Sequence, residues 1–410
     1  MTAFRYRLTA DRSPLNIEDY RQRARRSLPD MAWAFFEYGA EDNSTLQANR
    51  AAFARWSLRE RVLVGNDPVD LSTTVAGERL SMPVLLAPTG LAGIVHWSGE
   101  RAATVAAEEA GTRAVLSTAS SYSFEEVAEA TAQRHFFQLY PYHDSSSSTD
   151  SMQNDVVLSL MESAQTAGYK AMFVTADVPM SGNKEIEKRR GISKTPVITV
   201  RRAIDGAFHP RWAYGFLRHQ RISMRNLVPN GGGRAAMASI VTQEGMMKRE
   251  LSWADVAWMR ERWKGPLFVK GILDAEDAAR AAGVGADGIV VSNHGGRQLD
   301  GAVASLDALP AVADRVGDRL EILLDGGVRR GTDVIKALSL GARAVLIGRP
   351  DLYGLAAGGG EGVRRVIEIL GDEMSRAMTI MGVKSVGDLG RDWVLPSNTV
   401  LPSTGGGPAS

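Results

Sequence analysis

The sharpest chemical signal in the chain is the stretch Ser292-Asn293-His294-Gly295-Gly296-Arg297-Gln298-Leu299-Asp300. The chain has 6 histidines, and His294 alone stands beside two glycines with an arginine three residues on. A histidine is the natural side chain for taking a proton near neutral pH. Arg297 presents a planar fork that grips a carboxylate through two parallel hydrogen bonds. A base next to an anion clamp suits a small acid with a removable proton. The competing reading is a capping histidine beside a structural arginine. His96, His135, His143, His209 and His219 lack such neighbours and read as ordinary. Lys270 stands inside the apolar run Pro266–Ile272. A lysine there must pair with an anion or lose its charge, and a Schiff-base lysine is the rival reading. Asp177 closes another apolar run; it is placed to orient and stabilise a protonated His294, or is a structural strand-end carboxylate.

A second cluster suits a phosphate. Asp325-Gly326-Gly327-Val328-Arg329-Arg330-Gly331-Thr332-Asp333 follows one apolar run, and Gly348-Arg349-Pro350 follows the next. Glycines let backbone N–H groups approach a phosphate, a helix N-terminus adds favourable partial charge, and arginine adds a bidentate donor. Two Gly-rich turns with surface arginines would be the bland alternative. No G-x-G-x-x-G follows an early strand, which argues against a dinucleotide fold.

The elements that must carry these groups are eight short apolar runs: Met82–Pro88, Ala114–Ala119, His135–Tyr140, Ala171–Asp177, Pro266–Ile272, Gly288–Asn293, Glu321–Gly327 and Ala344–Arg349. They are continuous rather than alternating, as buried parallel strands are. Amphipathic segments such as Gly99–Ala110 and Asp274–Ala282 lie between them, so the sheet is parallel. Eight repeats predict a closed (β/α)8 TIM barrel, with an open doubly wound sheet as the alternative. The polar groups Thr89, Ser117, Gln138, Tyr140, Thr175, Asp177, Lys270, Ser292, His294, Asp325 and Arg349 all fall at or just past the run ends. Functional residues of such barrels collect at the C-terminal strand ends.

The predicted organisation is an N-terminal helical extension over 1–80, a barrel over 81–390 with a long insertion at 180–250, and a disordered Gly/Pro-rich tail over 394–410. Residues 200–226 hold six arginines against one Asp, with Trp212, Tyr214 and Phe216. That composition suits an anionic lipid interface or an ordinary loop over the site.

Composition narrows the classes further. With 48 Lys+Arg against 47 Asp+Glu, charge gives no reason to expect nucleic acid. The absence of cysteine removes disulfides, thiolate nucleophiles and iron–sulfur ligation, and a metal site is not expected. The N-terminus lacks the apolar core of a secretory signal, and no run of 18 or more uncharged apolar residues occurs. The expected location is cytoplasmic, with residues 200–226 as a candidate peripheral membrane contact.

At these residues the chain resembles the FMN-dependent 2-hydroxy acid dehydrogenases and oxidases, a group that includes glycolate oxidase, lactate oxidase and mandelate dehydrogenase. SNHGGRQLD, DGGVRRGTDV and IGRP carry the resemblance. Pro88–Gly93, Leu116–Ser120 and His209–His219 give it a mandelate dehydrogenase look. The resemblance implies FMN and oxidation of a 2-hydroxy acid to the 2-keto acid, with a mandelate-like, bulky or aromatic substrate. It implies His294 as base, Asp177 as its partner, and Arg297 and Tyr140 on the substrate. Lys270 would face the flavin N1 region. Thr89, Gly90, Ser117, Gln138, Thr175 and Ser292 would line the ring and ribityl; Asp325, Gly327, Arg329, Gly348 and Arg349 would hold the ribityl phosphate. The resemblance also implies a second electron acceptor, of unstated identity, and a homo-oligomer, commonly a tetramer. Small residues at Gly90 and Ala119 suggest room for a bulky group. Two positions depart from the pattern: Phe35 stands where the family carries a substrate-binding tyrosine, and Lys184 where it carries an arginine. An atypical substrate, or a flavin-binding homologue without turnover, is the alternative those departures raise.

Overall fold

The computed structural model describes residues 13–65, 68–142, 155–192, 199–227 and 251–397. Each of the eight apolar runs forms a strand: β1 (Val84–Leu86), β2 (Val115–Ser117), β3 (Phe136–Leu139), β4 (Met172–Thr175), β5 (Leu267–Ile272), β6 (Gly288–Val291), β7 (Glu321–Asp325) and β8 (Ala344–Ile347). Neighbours pair in parallel from β2 to β8, and β8 pairs with β1. A parallel bridge between Leu86 and Ala114 spans the β1–β2 seam. The sheet is therefore a (β/α)8 barrel, and the open-sheet alternative is set aside.

Both faces of the strands are buried, which is why the runs are continuous in sequence. The barrel interior is filled by Leu85, Val115, Phe136, Phe173, Phe268, Val290, Leu323 and Leu346. Phe173 and Phe268 stack with centroids 4.7 Å apart. Alternate strand residues such as Leu86, Leu116 and Phe137 point outward and pack with the helices.

The first 80 residues are less helical than expected. Helices α1 (Ile17–Ser27), α2 (Asp30–Glu37) and α3 (Ser44–Ala54) are followed by a hairpin, Thr73–Val75 with Glu78–Leu80. Its two-residue turn, Ala76-Gly77, has positive φ at both positions (50° and 77°), the hand that suits a tight hairpin. Val75, Ala76 and Leu80 join the interior cluster, and Glu321 at the start of β7 accepts from the Ala76 amide at 3.1 Å. The hairpin thus stoppers the N-terminal end of the barrel, opposite the strand ends that carry the chemistry.

Two further differences concern the insertion and the tail. Within 200–226 the chain forms two helices, Val200–Ala207 and Pro210–His219. The first is capped by the Thr199 side chain, and the second carries Pro in its first turn. Residues 193–198 and 228–250 of the insertion lie outside the described residues. The tail does not begin at 394: Val394–Pro396 pairs antiparallel with Trp56–Leu58, and Val394 is buried. The remainder of the expected tail, 398–410, lies outside the described residues.

The N-terminal helices are tied to the C-terminal mouth of the barrel. Asp300 receives hydrogen bonds from the amides of Asp42, Ser44 and Thr45 and so caps α3 from across the chain. Asn49 on α3 and Asn293 after β6 exchange reciprocal side-chain hydrogen bonds, both 2.8 Å, and Asn49 also accepts from the Ser305 amide. Leaving a buried donor or acceptor unpaired costs roughly 1–3 kcal/mol. Replacing Asn49 by Leu should therefore lower unfolding stability by at least about 2 kcal/mol. Urea unfolding of the flavin-loaded protein measures it; an unchanged midpoint would show that this amide pair contributes nothing.

Candidate active site

The strand ends bring the expected groups together. His294 follows β6 with φ 59°, in the left-handed region, and its amide donates to Ser292 Oγ at 3.0 Å. Its Nδ1 lies 3.2 Å and 3.3 Å from the two carboxylate oxygens of Asp177, which follows β4. The bond to Asp177 occupies Nδ1 and leaves Nε2 as the nitrogen able to take a proton. The close approach of β4 and β5 here depends on Gly271: a Cβ there would meet Asp177 Cβ at 2.5 Å.

Lys270 on β5 is buried, with Nζ 3.0 Å from Asp325 on β7 and 3.0 Å from Ser292 Oγ. Burial alone would lower its pKa, but Asp325 and Asp177 outweigh burial and hold it above the ordinary lysine value. The ion pair with Asp325 favours an ammonium over the Schiff-base reading. Burial acts in the opposite sense on Asp177 and is likewise outweighed, by His294 and Lys270, so its carboxyl titrates below the usual range. For His294 burial is the largest influence, and it wins over Asp177; the imidazole is neutral at lower pH than usual. Tyr140, just past β3, is pushed up to about 12 by burial and so keeps its hydroxyl proton.

Three polar side chains cross the mouth on successive strands. Ser117 donates to Gln138 Oε1 at 2.9 Å, and Gln138 Nε2 donates to Thr175 Oγ1 at 2.8 Å. Thr89 and Gly90 sit on the loop after β1. The smallness of Gly90 and Ala119 has a packing cause rather than leaving open room: a Cβ on Gly90 would meet Ala119 Cβ at 3.0 Å.

Arg297 is held on three sides. Its guanidinium donates to the carbonyls of Tyr38 (2.9 Å) and Phe35 (3.0 Å) and pairs with Glu187 at 2.9 Å. The carbonyl of Phe35, rather than any side-chain donor, is what that position offers Arg297. Its half-buried ring packs beside an apolar cluster of Leu91, Ala119 and Met224, together with Tyr140. Lys184, half-buried, immediately precedes the short helix Glu185–Arg189 that supplies Glu187.

Asp325 Oδ1 and Arg329 Nε are buried with no hydrogen-bond partner among the described residues. Arg349 donates to the carbonyls of Phe36, Glu37, Tyr38 and Gly295. Burial, with Arg297 and Arg329 nearby, pushes it down to about 10. A buried unpartnered guanidinium nitrogen on Arg329, with Arg349 and the unpartnered Asp325 oxygen at the same strand ends, fits a phosphate on a polyol. The Gly-rich turn contributes differently from expectation. The amides of Arg329 and Arg330 already donate to Asp333, and that of Gly331 to Glu373. The helix beginning at Arg349 has no side-chain cap hydrogen bond on its N-terminus. Gly327 is required by packing, since a Cβ there would collide with the Asn49 carbonyl.

The model of the FMN-dependent dehydrogenase family matches residues 24–396. The chain belongs to this family. It is 42% identical to an L-lactate oxidase from Nostoc sp., over 93% of this chain and 98% of the relative. It is 41% identical to an L-lactate dehydrogenase from Caulobacter vibrioides, over 90% and 95% of the two chains. Among solved structures, the monotopic membrane protein (S)-mandelate dehydrogenase superposes with a TM-score of 0.86 at 35% identity, covering 94% of this chain and all of that one. The protein is an FMN-dependent enzyme, which sets aside the homologue without turnover. A mandelate-like substrate is not singled out by these comparisons, which place lactate, hydroxy-acid and mandelate enzymes alike among the relatives.

Sequence reasoning missed Glu187, Asn49 and the role of Asp300. Glu187 sits in Glu-Ile-Glu-Lys-Arg-Arg, which reads as a solvated charged helix, and nothing local marks it as buried. Asp300 was visible only as the last residue of the histidine motif.

The electrostatics predict a pH profile. A base works when deprotonated, so flavin reduction should rise with pH along an acid limb centred below the ordinary histidine value of 6.5. Asp177 raises the pKa of His294, so Asp177→Asn should move that limb to lower pH. It should also lower the plateau by at least about 10²-fold, because the protonated imidazole loses its carboxylate. Anaerobic stopped-flow reduction between about pH 5 and 8 tests this. A limb that moves upward would place Asp177 outside the environment of the base.

Proposed function

We propose that the protein oxidises the carbinol carbon of a 2-hydroxy acid to the 2-keto acid, with His294 as the base. The observation that carries this reading is the His294–Asp177 pair, with Lys270 and Arg297 at the same barrel mouth. Arg297, held by the carbonyls of Phe35 and Tyr38 and paired with Glu187, would bring positive charge to the substrate carboxylate. Tyr140 offers a hydroxyl hydrogen to the same substrate. His294 Nε2 takes the proton, and Asp177 stabilises the imidazolium that results. The carbinol loses two electrons and two protons in all: one proton goes to His294, and FMN, when bound, would supply the acceptor for the two electrons and the other proton. Lys270 holds a positive charge where negative charge would develop on the ring. Ser117, Gln138, Thr175 and Ser292 would line the ring and ribityl, and Asp325, Arg329, Gly348 and Arg349 would hold the phosphate. A second acceptor removes the electrons.

The side chain of the acid is the finer question. The apolar cluster of Leu91, Ala119 and Met224 beside Phe35 and Tyr140 favours a bulky or aromatic, mandelate-like group. Its tight packing favours the second reading, a small lactate-like acid. Anaerobic addition of L-mandelate and L-lactate to the yellow protein decides between them by the rate of bleaching. His294→Ala should slow bleaching by about 10²–10⁴-fold while FMN stays bound. A variant bleached at the normal rate would remove His294 from the mechanism.

We also propose a peripheral membrane contact. Helices Val200–Ala207 and Pro210–His219 expose Val200, Ile204, Phe208, Tyr214 and Leu217 among the exposed Arg201, Arg211 and Arg218. Among the described residues no helix is long and apolar enough to cross a membrane. Apolar residues interleaved with arginine suit the surface of an anionic bilayer. Phosphatidylglycerol vesicles at low salt should co-sediment the protein, and replacing Phe208 and Leu217 by Ser should abolish this. Absence of sedimentation by the unaltered protein would make these helices an ordinary cover.

A further inference from the structure

We propose that Met224 is a specificity-determining residue of this enzyme and that Asn226 is the positioning residue that holds it. This rests on the hydroxy-acid reading above and assigns to one side chain the discrimination between small and bulky acids.

The segment 221–227 follows the two exposed helices and lies across the loops after β1 and β2. A Cβ on Gly93 would collide with the Arg221 carbonyl, so backbone meets backbone there. The Arg225 amide donates to the Ser120 carbonyl at 3.0 Å. Asn226 fastens the segment at several points. Its Oδ1 accepts from the Phe124 amide at 2.9 Å, and its Nδ2 donates to Ser120 Oγ at 3.2 Å and to the Thr118 carbonyl at 3.4 Å. Arg221 pairs with Glu126 at 2.8 Å and stands 4.1 Å above the Tyr122 ring.

What this fastening delivers to the mouth is Met224. It is 2% exposed and forms a small cluster with Leu91 (4%) and Ala119 (5%), apart from the main core. Phe35, Ile94, Tyr140 and Leu227 surround it, half-buried. Tyr140 is the residue placed on the substrate, and Phe35 lends its carbonyl to Arg297. The cluster therefore borders Tyr140 and the Phe35 segment that holds Arg297, and we place the substituent of the acid against it. Leu91 and Ala119 belong to loops pinned by β1 and β2. Of the three buried members Met224 is the one from the insertion, as is the half-buried Leu227 beside it, and its flexible, unbranched thioether re-packs readily. A large substituent can enter only by displacing it, and a small one leaves it in place.

The test compares flavin reduction by mandelate and by lactate in the holoenzyme, as the ratio of second-order rate constants. One methylene in an apolar pocket changes discrimination by roughly 10–200-fold. Met224→Ala should raise the mandelate-to-lactate ratio by at least about tenfold, and Met224→Phe should lower it by a similar factor. Because the readout is a ratio of the two acids, a loss of rate common to both leaves the test intact. Asn226→Ala should raise half-saturation for mandelate with little change in the limiting rate for lactate, a split that general loosening of the fold would not produce. If Met224→Ala fails to bind FMN, Met224→Phe and Asn226→Ala carry the test. A ratio unchanged in the variants that still reduce flavin with lactate overturns the assignment of Met224. An unaltered enzyme that prefers lactate overturns only the bulky-substrate reading, since the shift of the ratio remains measurable. Bleaching by neither acid overturns both.

Discussion

The C-terminal end of helix α2 is the constraint on which the candidate site depends. The last carbonyls of a helix have no partner within it and carry partial negative charge. Here those of Phe35, Phe36 and Glu37, with Tyr38 just beyond, are satisfied by two guanidinium groups, Arg297 from the loop after β6 and Arg349 from the end of β8. Neither arginine could sit at the barrel mouth without acceptors, because an unpaired buried cation is costly. The helix end thus holds both cations in place before any anion arrives, and the arginines in turn finish the helix. The backbones interlock as well: the Ala40 amide donates to the Gly296 carbonyl at 2.8 Å, and a Cβ on Gly39 would strike that same oxygen. The N-terminal extension is consequently a wall of the site.

Charge is balanced locally along the rest of the mouth. Lys270 lies between Asp325 and the more distant Asp177, and Asp177 also holds His294. A chain of this kind lets each buried ionised group keep its charge, since every one has an opposite charge or a hydrogen bond to offset desolvation. It also separates roles. The same lysine that lowers Asp177 helps keep His294 neutral, so a carboxylate and an unprotonated imidazole stand side by side near neutral pH.

The barrel was legible because its strands are buried on both faces, which turns each into an unbroken apolar run with the polar residues pushed to its end. His294, Lys270 and Asp177 were legible for the same reason: a charged group closing such a run has no structural use for its position. The groups that position them were not. Asn49 and Glu187 become buried only through pairing across hundreds of residues or against a distant arginine, and a single sequence carries no trace of that. The hairpin at Thr73–Leu80 and the strand Val394–Pro396 are three-residue strands, too short for period two to register. Gly90 and Ala119 were read as room and are instead a contact, because small residues signal close approach as readily as empty space. Met224 follows a stretch conspicuous for its arginines, and one methionine after two amphipathic helices gives no sign of turning inward.

The backbone after β6 shows why the histidine motif needs its particular residues. His294, Gly295 and Gly296 have φ of 59°, 64° and 75°, three successive residues in the left-handed region. Two of them are glycine, for which that conformation costs little; His294 is the one that bears strain, of order 1 kcal/mol or more. That strain is offset by the bond from its amide to Ser292 Oγ and by the Gly296 amide, which donates to both the Asn293 carbonyl and its side chain at 3.1 Å. The turn has two consequences. It swings the imidazole back across the strand ends to Asp177, on the far side of β5, instead of letting it continue along β6. It also aims the Gly295 carbonyl at Arg349 and the Gly296 carbonyl at Ala40. A residue with a Cβ at Gly296 would collide with Leu46 of α3. The base, the phosphate-end arginine and the N-terminal wall are therefore placed by one tight turn, and the strain at His294 is what lets a single loop serve all three.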